Sequence, residues 1–355
     1  MLTDLLLRDF RCFQECRVTL HEDTTLFIGR NAQGKTSLLE AACVLLRLQS
    51  PRTGSRAELI RLGASTLLIE GTVSGRKLRC AQSATTRRLA LDGNVCGKSA
   101  DYLTGSGLVV WMDHRDMSLL RGSAEHRRRH LDFAASQIFP DYLHALRSYE
   151  RALRGRNHVL KRDAVIAWRQ ADAFAQVMAD HAQVLRAHRA ELMTAMQPHS
   201  AAIHHELSAG SEAMVLTYAP GWQEENLADE LAARREEEGR TRLTGVGPHR
   251  DDFTLTLNGL NASTYASEGQ QRSAALALKT AQARVLEDAC GQPPLLLLDD
   301  IFGELDAHRR RALLRLLPSG TQKIITTTSL DWNGDAPQSG KVYQVEGASL
   351  TAHLS

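Results

Sequence analysis

Nothing in this 355-residue sequence fits a secreted or membrane-embedded chain. Its six cysteines, Cys12, Cys16, Cys43, Cys80, Cys96 and Cys290, make no Cys-x-x-Cys pair. So few thiols in so long a chain suit a reducing compartment rather than a disulfide framework. Cys12 and Cys16 alone hint at a metal, but a structural zinc site takes about four ligands, so packing is their expected role. No apolar run approaches the roughly 18 to 20 residues of a bilayer span, and the mean hydropathy is −0.28. The opening, Met1 to Phe13, carries Asp4, Arg8, Asp9 and Arg11 among its leucines, without a basic leader or cleavage site. A mature start and a cytoplasmic location are expected, with no membrane partner. Fixed-period repeats and long low-complexity runs are also missing.

Net charge is nearly absent too, 43 Lys plus Arg against 41 Asp plus Glu. The balance hides an asymmetry. From Arg121 to Glu206 basic residues outnumber acidic ones, with Arg127, Arg128 and Arg129 consecutive, whereas acids dominate from Glu212 to Glu238. Such a patch leaves nucleic acid open as a partner, and a solvated helix face of mixed charge accounts for it equally well.

Hydrophobic spacing organises the chain. Thr24 to Ile28 is a β-branched and aromatic run ending at Gly29, the profile of a buried strand, and Leu38, Leu39, Ala42, Leu45 and Leu46 then recur at helical spacing up to Pro51. Short alternating runs between Leu67 and Asn94, punctuated by Gly71, Ser74-Gly75 and Asp92-Gly93, predict an antiparallel meander, followed by a core strand at Leu108 to Trp111. Between Pro140 and Pro198 there is no internal proline, and Phe174, Val177, His181, Val184, Leu185, His188 and Leu192 fall near a three-four repeat. A hairpin of long helices is expected there. Strands return at Phe253 to Leu257, where the chain is expected to rejoin its first lobe.

Gly29-Arg30-Asn31-Ala32-Gln33-Gly34-Lys35-Thr36 fits G-x-x-x-x-G-K-[ST] between that strand and helix. In such a loop the backbone amides and the helix N-terminus face phosphates, Lys35 neutralises them, and the Thr36 hydroxyl can ligate Mg²⁺. Leu295 to Leu298 followed by Asp299-Asp300 reads as a central strand ending in acids, with Asp299 holding Mg²⁺ through water and Asp300 polarising the attacking water. Ser267-Glu268-Gly269-Gln270 opens a helix shortly before that strand and resembles the signature of ATP-binding cassettes. Ser267, Gly269 and Gln270 would there touch the γ-phosphate held by another subunit, and a plain serine cap is the bland alternative. Gly303 to Asp306 resembles the D-loop, with Asp306 its acid.

Phosphate loop and acidic strand lie at opposite ends of the chain around a helical excursion. The expected fold is therefore α/β, an ABC-type P-loop ATPase head with an antiparallel β subdomain and an inserted helical, coiled-coil-like lobe. Residues 1–120 and 241–355 would form the head and residues 121–240 the arm.

With Ala57 to Arg61, Arg121-Gly122-Ser123, the Arg127 to Asp132 run and above all Gly247-Pro248-His249-Arg250-Asp251-Asp252, the sequence resembles the RecF family of bacterial recombination-repair proteins nearly end to end. The resemblance implies an ATP-dependent homodimer that binds single-stranded or duplex DNA at gaps or junctions. It further implies slow ATP hydrolysis and a role with RecR and RecO in loading RecA. Asp299-Asp300 stands where most cassettes have Asp-Glu, and Thr326-Thr327-Thr328 where they carry a switch histidine; Thr328 is the expected switch. The family shares both features, and a shorter base without an imidazole suits a timed clamp.

The chain departs from its family at His114-Arg115-Asp116-Met117, near the expected Q-loop, where Asp116 is a candidate link, and at Ala124. Three consecutive arginines cannot share one helix face, so one or two of Arg127, Arg128 and Arg129 would touch DNA and the rest pair with nearby acids. His249 and Arg250 fit a nucleotide or an interface equally. Competing functions are a head driving a partner nuclease, a transporter energy subunit and a structural pseudo-ATPase. The short stretch after Asp306 has no acidic cluster for a nuclease, the inserted helices disfavour the transporter, and the intact Lys35, Thr36, Asp299 and Ser267 disfavour the last.

Overall fold

The computed structural model describes residues 1–328 and 340–353. By contact the chain forms two compact units, Met1–His114 with Leu286–Ser355, and Arg115–Val285. These bounds differ from an arm of 121–240, because residues 241–285 pack with the helical segment.

The first unit opens with β1 (Leu2–Phe10) and β2 (Phe13–Thr19), then β3 (Thr24–Ile28), α1 (Lys35–Arg47), β4 (Thr66–Val73), β5 (Arg76–Ser83), β6 (Arg87–Leu91), β7 (Asn94–Val95), α2 (Ser99–Thr104) and β8 (Val109–Asp113). The anticipated meander is present, and β1 and β2 extend it into a six-stranded antiparallel sheet ordered β2-β1-β4-β5-β6-β7. Every residue of α1 except Thr36 is buried, as expected of a helix apolar on all sides. The Tyr102 hydroxyl donates to the Leu45 carbonyl at 2.7 Å and the Ser106 hydroxyl to that of Leu46 at 2.6 Å, satisfying carbonyls at its C-terminal end.

The second unit contains α3 (Ser118–Arg121), α4 (Ala124–Ile138), α5 (Tyr142–Arg162), α6 (Trp168–Leu207), β9 (Met214–Ala219), α7 (Leu227–Ala233), α8 (Arg235–Thr241), β10 (Asp252–Leu257), β11 (Leu260–Asn261), α9 (Ala262–Tyr265) and most of α10 (Glu268–Cys290). The long α5 and α6 form the expected hairpin, with two corrections. The helix continues through Pro198 to Leu207. The buried seam runs Ala171, Ala175, Met178, Ala182, Leu185, Arg189, Leu192 and Met196, whereas Val177 is 44 % exposed. Small alanines set that seam because they let the helix approach its neighbours closely. Gly155 serves the same end, since a Cβ there would lie 2.6 Å from the Phe174 ring.

Phe253 to Leu257 does not rejoin the first unit. As β10 it pairs with β9, a short strand between Gly210-Ser211 and Pro220-Gly221 that the sequence reading did not mark, in a separate sheet ordered β11-β10-β9.

The chain returns to the first unit through α10, then β12 (Leu295–Asp299), α11 (Ala307–Leu316), β13 (Lys323–Thr327), β14 (Lys341–Glu346) and β15 (Ser349–His353). The second sheet of that unit is ordered β15-β14-β3-β13-β12-β8, parallel except for β15. Its strands β3, β12 and β13 are buried almost throughout, with leucine, isoleucine and phenylalanine at their centres and threonine or aspartate at their ends. The buried Gln322 side chain ties the two sheets, accepting from Leu2 N at 2.8 Å and donating to the Leu2 and His21 carbonyls at 2.7 and 2.8 Å. No helix among the described residues is long and apolar enough to cross a membrane.

The second unit closes on buried charge. Arg189, 2 % exposed, donates to Asp132, Asp251 and the Pro248 carbonyl at 2.7 Å each. Burial works against its charge, but Asp132, Tyr142 and Asp251 outweigh that and hold it above the ordinary arginine value. Asp251 also accepts from the Tyr218 hydroxyl at 2.5 Å and Gly221 N at 2.6 Å. The distinctive Gly247 to Asp252 string thus lies inside this unit. His249 is bonded to Tyr149 at 2.6 Å and to the Thr244 carbonyl at 3.1 Å, and burial pushes its pKa down to about 4. Asp251→Ala removes the centre of the network and is expected to cost about 3 kcal/mol or more of stability, read by urea denaturation.

Candidate functional site

Four parallel strands end together in the first unit: β3 at the phosphate loop, β13 at Thr327, β12 at Asp299 and β8 at Asp113. Carboxyl ends of parallel strands are where α/β folds place ligands. The Gly29 to Thr36 loop leaves β3 here. A Cβ on Gly29 would fall 2.3 Å from the Val345 carbonyl oxygen, and Gly34, at φ 106°, backs onto Cys12 and Phe13. Those contacts require glycine at both positions. The loop is clasped from β14–β15, where Gly347 N donates to the Gln33 side chain at 2.7 Å and Ala348 N to the Gln33 carbonyl at 3.3 Å. Ala32, at φ 63°, holds a left-handed conformation in the same turn.

No side chain caps α1 and no acid stands in its first turn. Its N-terminus therefore presents a positive end to an anion. Lys35 is buried and folds back over the loop, donating to the Gly29 carbonyl at 2.5 Å and the Arg30 carbonyl at 2.9 Å. Burial lowers its pKa, with Asp300 and Asp299 opposing. Arg30, Asn31 and Ala32 are exposed at the rim.

Asp299 is 6 % exposed and is gripped by two hydroxyls, Thr36 at 2.9 Å and Thr326 at 2.8 Å. Burial raises its pKa, neighbouring Asp113 adds to the rise, and the two threonines oppose it. Asp300 follows in a left-handed turn at φ 53°, its amide donating to the Thr326 hydroxyl at 2.9 Å. Paired hydroxyl and carboxylate oxygens are hard donors of the kind Mg²⁺ takes when phosphates supply the rest of its shell. Among the described residues no group of three or more His, Cys, Asp or Glu is placed to hold a metal ion.

Thr326 is the threonine that reaches Asp299. β13 ends at Thr327, so Thr328 leaves the strand and is exposed, while Thr326 sits in register beside Asp299. Asp113, paired in register with Asp299 across β8, also escaped the sequence reading. So did Glu40, fully buried on α1, which binds Arg11 at 2.6 Å and Arg52 at 3.2 Å. Their signal was faint: single polar residues in or ending otherwise apolar elements.

The signature residues lie in the second unit. Ser267 and Gln270 cap α10 reciprocally, Ser267 N donating to the Gln270 side chain at 2.7 Å and Gln270 N to the Ser267 hydroxyl at 3.3 Å. The Gly269 carbonyl accepts from the Ser273 hydroxyl at 3.0 Å. Asp116 pairs with Lys279 of α10 at 3.4 Å. Asp306 caps α11 through Arg309 N at 2.8 Å, and that bond holds its carboxyl below the usual range.

The arginine run is largely committed internally. Arg127 pairs with Asp252 at 2.5 and 2.9 Å and Arg128 donates to the Asp251 carbonyl at 2.8 Å, whereas the Arg129 side chain is 73 % exposed and pairs with its helix neighbour Glu125.

A carboxyl whose folded pKa is raised binds a proton more readily folded than unfolded, so Asp299 lowers stability as pH rises through its native value. Asp299→Asn is expected to raise the melting temperature of the nucleotide-free protein at pH 7. The gain should shrink towards acid pH and vanish below about 3.9, the free-chain aspartate value. Thermal melts across that range check it.

Residues 1–68 match the family model of an AAA ATPase domain. The chain is 36 % identical to the DNA replication and repair protein RecF of a Synechococcus species, covering 98 % of this chain and 97 % of the relative. It is 33 % identical to that of Geobacillus thermodenitrificans, covering 99 % of both. A solved structure of the recombination mediator protein RecF with ATP, in the RecFOR pathway, superposes with a TM-score of 0.89 at 25 % identity over 99 % of this chain and 97 % of that one. An Smc head bound to the winged-helix domain of ScpA shares the fold, with a TM-score of 0.58 at 15 % identity over 99 % and 97 %. In sequence along its whole length and in fold, the chain belongs to the RecF family of DNA replication and repair proteins, with the ABC-type head that family shares with Smc.

Proposed function

We propose that this protein is an ATP-gated DNA clamp of recombinational repair, in which ATP binding joins two copies head to head and slow hydrolysis releases them. The observation that carries the reading is the arrangement around α1. An uncapped helix N-terminus, a buried lysine folded over its loop and a hydroxyl–carboxylate pair 2.9 Å apart converge on one point.

Gly29, Arg30, Asn31, Ala32, Gln33 and Gly34 would wrap the phosphates with backbone amides. Lys35 would exchange the Gly29 and Arg30 carbonyls for β/γ oxygens. Thr36 would ligate Mg²⁺ directly and Asp299 through water, the metal screening charge on the transferring phosphoryl group. Asp300 would orient the attacking water and accept its proton. Ser267, Gly269 and Gln270 of a second copy would contact the γ-phosphate, with Asp306 at the dimer junction. Thr328, exposed just past β13, would serve as the switch, while Thr326 bridges Asp299 and the Asp300 amide. A hydroxyl cannot shuttle a proton as imidazole does, and Asp300 is one methylene shorter than glutamate; both favour slow turnover, which DNA would stimulate.

DNA, single-stranded or duplex at gaps or junctions, would be held mainly through phosphates. Arg129 is the member of the arginine run best placed for it. The family's pathway adds RecR and RecO as partners, RecA loading downstream and a cytoplasmic setting.

Light scattering is expected to report a monomer without nucleotide and a dimer with Mg²⁺ and a non-hydrolysable ATP analogue, with Lys35→Ala remaining monomeric. A wild-type chain that stays monomeric at saturating analogue would overturn the clamp. ATP should also tighten binding to gapped DNA, with affinity falling steeply as salt rises. Arg129→Ala is expected to weaken binding about evenly across sequences and to reduce the salt slope by about one.

A further inference from the structure

Gln270 is held from outside its own helix. Its side-chain oxygen accepts from Ser267 N at 2.7 Å, while its amide nitrogen donates to the Glu212 carboxylate at 2.8 Å. The other oxygen of Glu212 accepts from His204 Nε2 at 2.7 Å. His204 is fully buried in the last turn of α6, and its Nδ1 has no hydrogen-bond partner. All its polar engagement is therefore directed at Glu212, itself 13 % exposed.

α6 grips the same segment again one stretch earlier. Gln197 accepts from Leu216 N at 2.5 Å and donates to the Met214 carbonyl at 3.3 Å. The end of α6 thus fixes β9 and Glu212, two residues before it, and Glu212 fixes the signature turn. Ser267 itself is exposed, so its backbone conformation rests on Gln270, and the orientation of Gln270 rests on Glu212.

We propose that Glu212 and His204 are positioning residues for the signature turn, holding Gln270 so that the Ser267 hydroxyl is presented to the nucleotide of a second copy. The relay rests on the head-to-head reading above. It also gives α6 a route to dimerisation: a shift of that helix moves Glu212 and releases the Gln270 amide.

Glu212→Ala should raise the ATP concentration for half-maximal dimerisation about tenfold, the loss expected for a charge-assisted hydrogen bond. ATP affinity of the monomer should stay at its wild-type value, while the melting temperature falls by a few degrees because buried His204 loses its partner. Glu212→Gln, whose amide can still accept from Gln270 and donate to the His204 ring, should restore dimerisation. Amide hydrogen exchange at Ser267 and Gln270 should quicken in Glu212→Ala and not in Glu212→Gln.

Wild-type dimerisation and exchange in Glu212→Ala overturn the relay. So does a parallel loss of monomer ATP affinity, which marks a structural residue only. If the wild-type chain fails to dimerise with ATP, the clamp reading falls by itself, and the exchange rates then decide the relay alone.

Discussion

A nearly buried carboxylate at the end of β12 is the constraint on which the head depends. Desolvation penalises the charge of Asp299, and its two hydrogen bonds come from neutral hydroxyls. Neutral donors offset only part of the cost of burying a charge. The sheet nonetheless imposes the position, because parallel register sets Asp299 beside Thr326 on one side and Asp113 on the other. The site thus stores unmet electrostatic need. This is the usual trade between stability and a prepared site.

The second unit solves a different problem with similar means. Its helices meet around Arg189, Asp132 and Asp251, and a second buried pair, Arg156 with Glu238 at 2.6 Å, fastens α5 to α8. Buried charges paired across helices favour one arrangement of those helices over others that pair fewer of them. The Gly247 to Asp252 string belongs to this lock, with Gly247 at φ 128° and its α-carbon face against the Tyr149 hydroxyl.

Much of the head was legible because its elements obey strong local rules. The β3–loop–α1 passage, the meander and the Leu295 to Asp299 strand are each bounded by glycine, proline or charge, and each lies within a residue or two of its expected place. The phosphate-loop lysine and threonine and the first acid come together as their spacing implied. What escaped depends on pairing between distant segments. Thr326 became visible only beside Asp299 and the alanine seam of α6 only beside α5, whereas β9 went unmarked although Gly210-Ser211 and Pro220-Gly221 bound it. The arginine run misled for a related reason: a sequence shows charges without the acids that face them, and Asp252 lies far along the chain from Arg127.

The central claim is that the nucleotide site is completed by two chains, phosphate loop from one and signature from the other. Mixing two variants tests it most directly. Lys35→Ala damages only the first half and Ser267→Arg only the second, so each alone should lack ATPase activity. An equimolar mixture should regain activity, because one of the two sites in a mixed dimer joins an intact loop to an intact signature. A mixture no more active than its separate components would contradict the account.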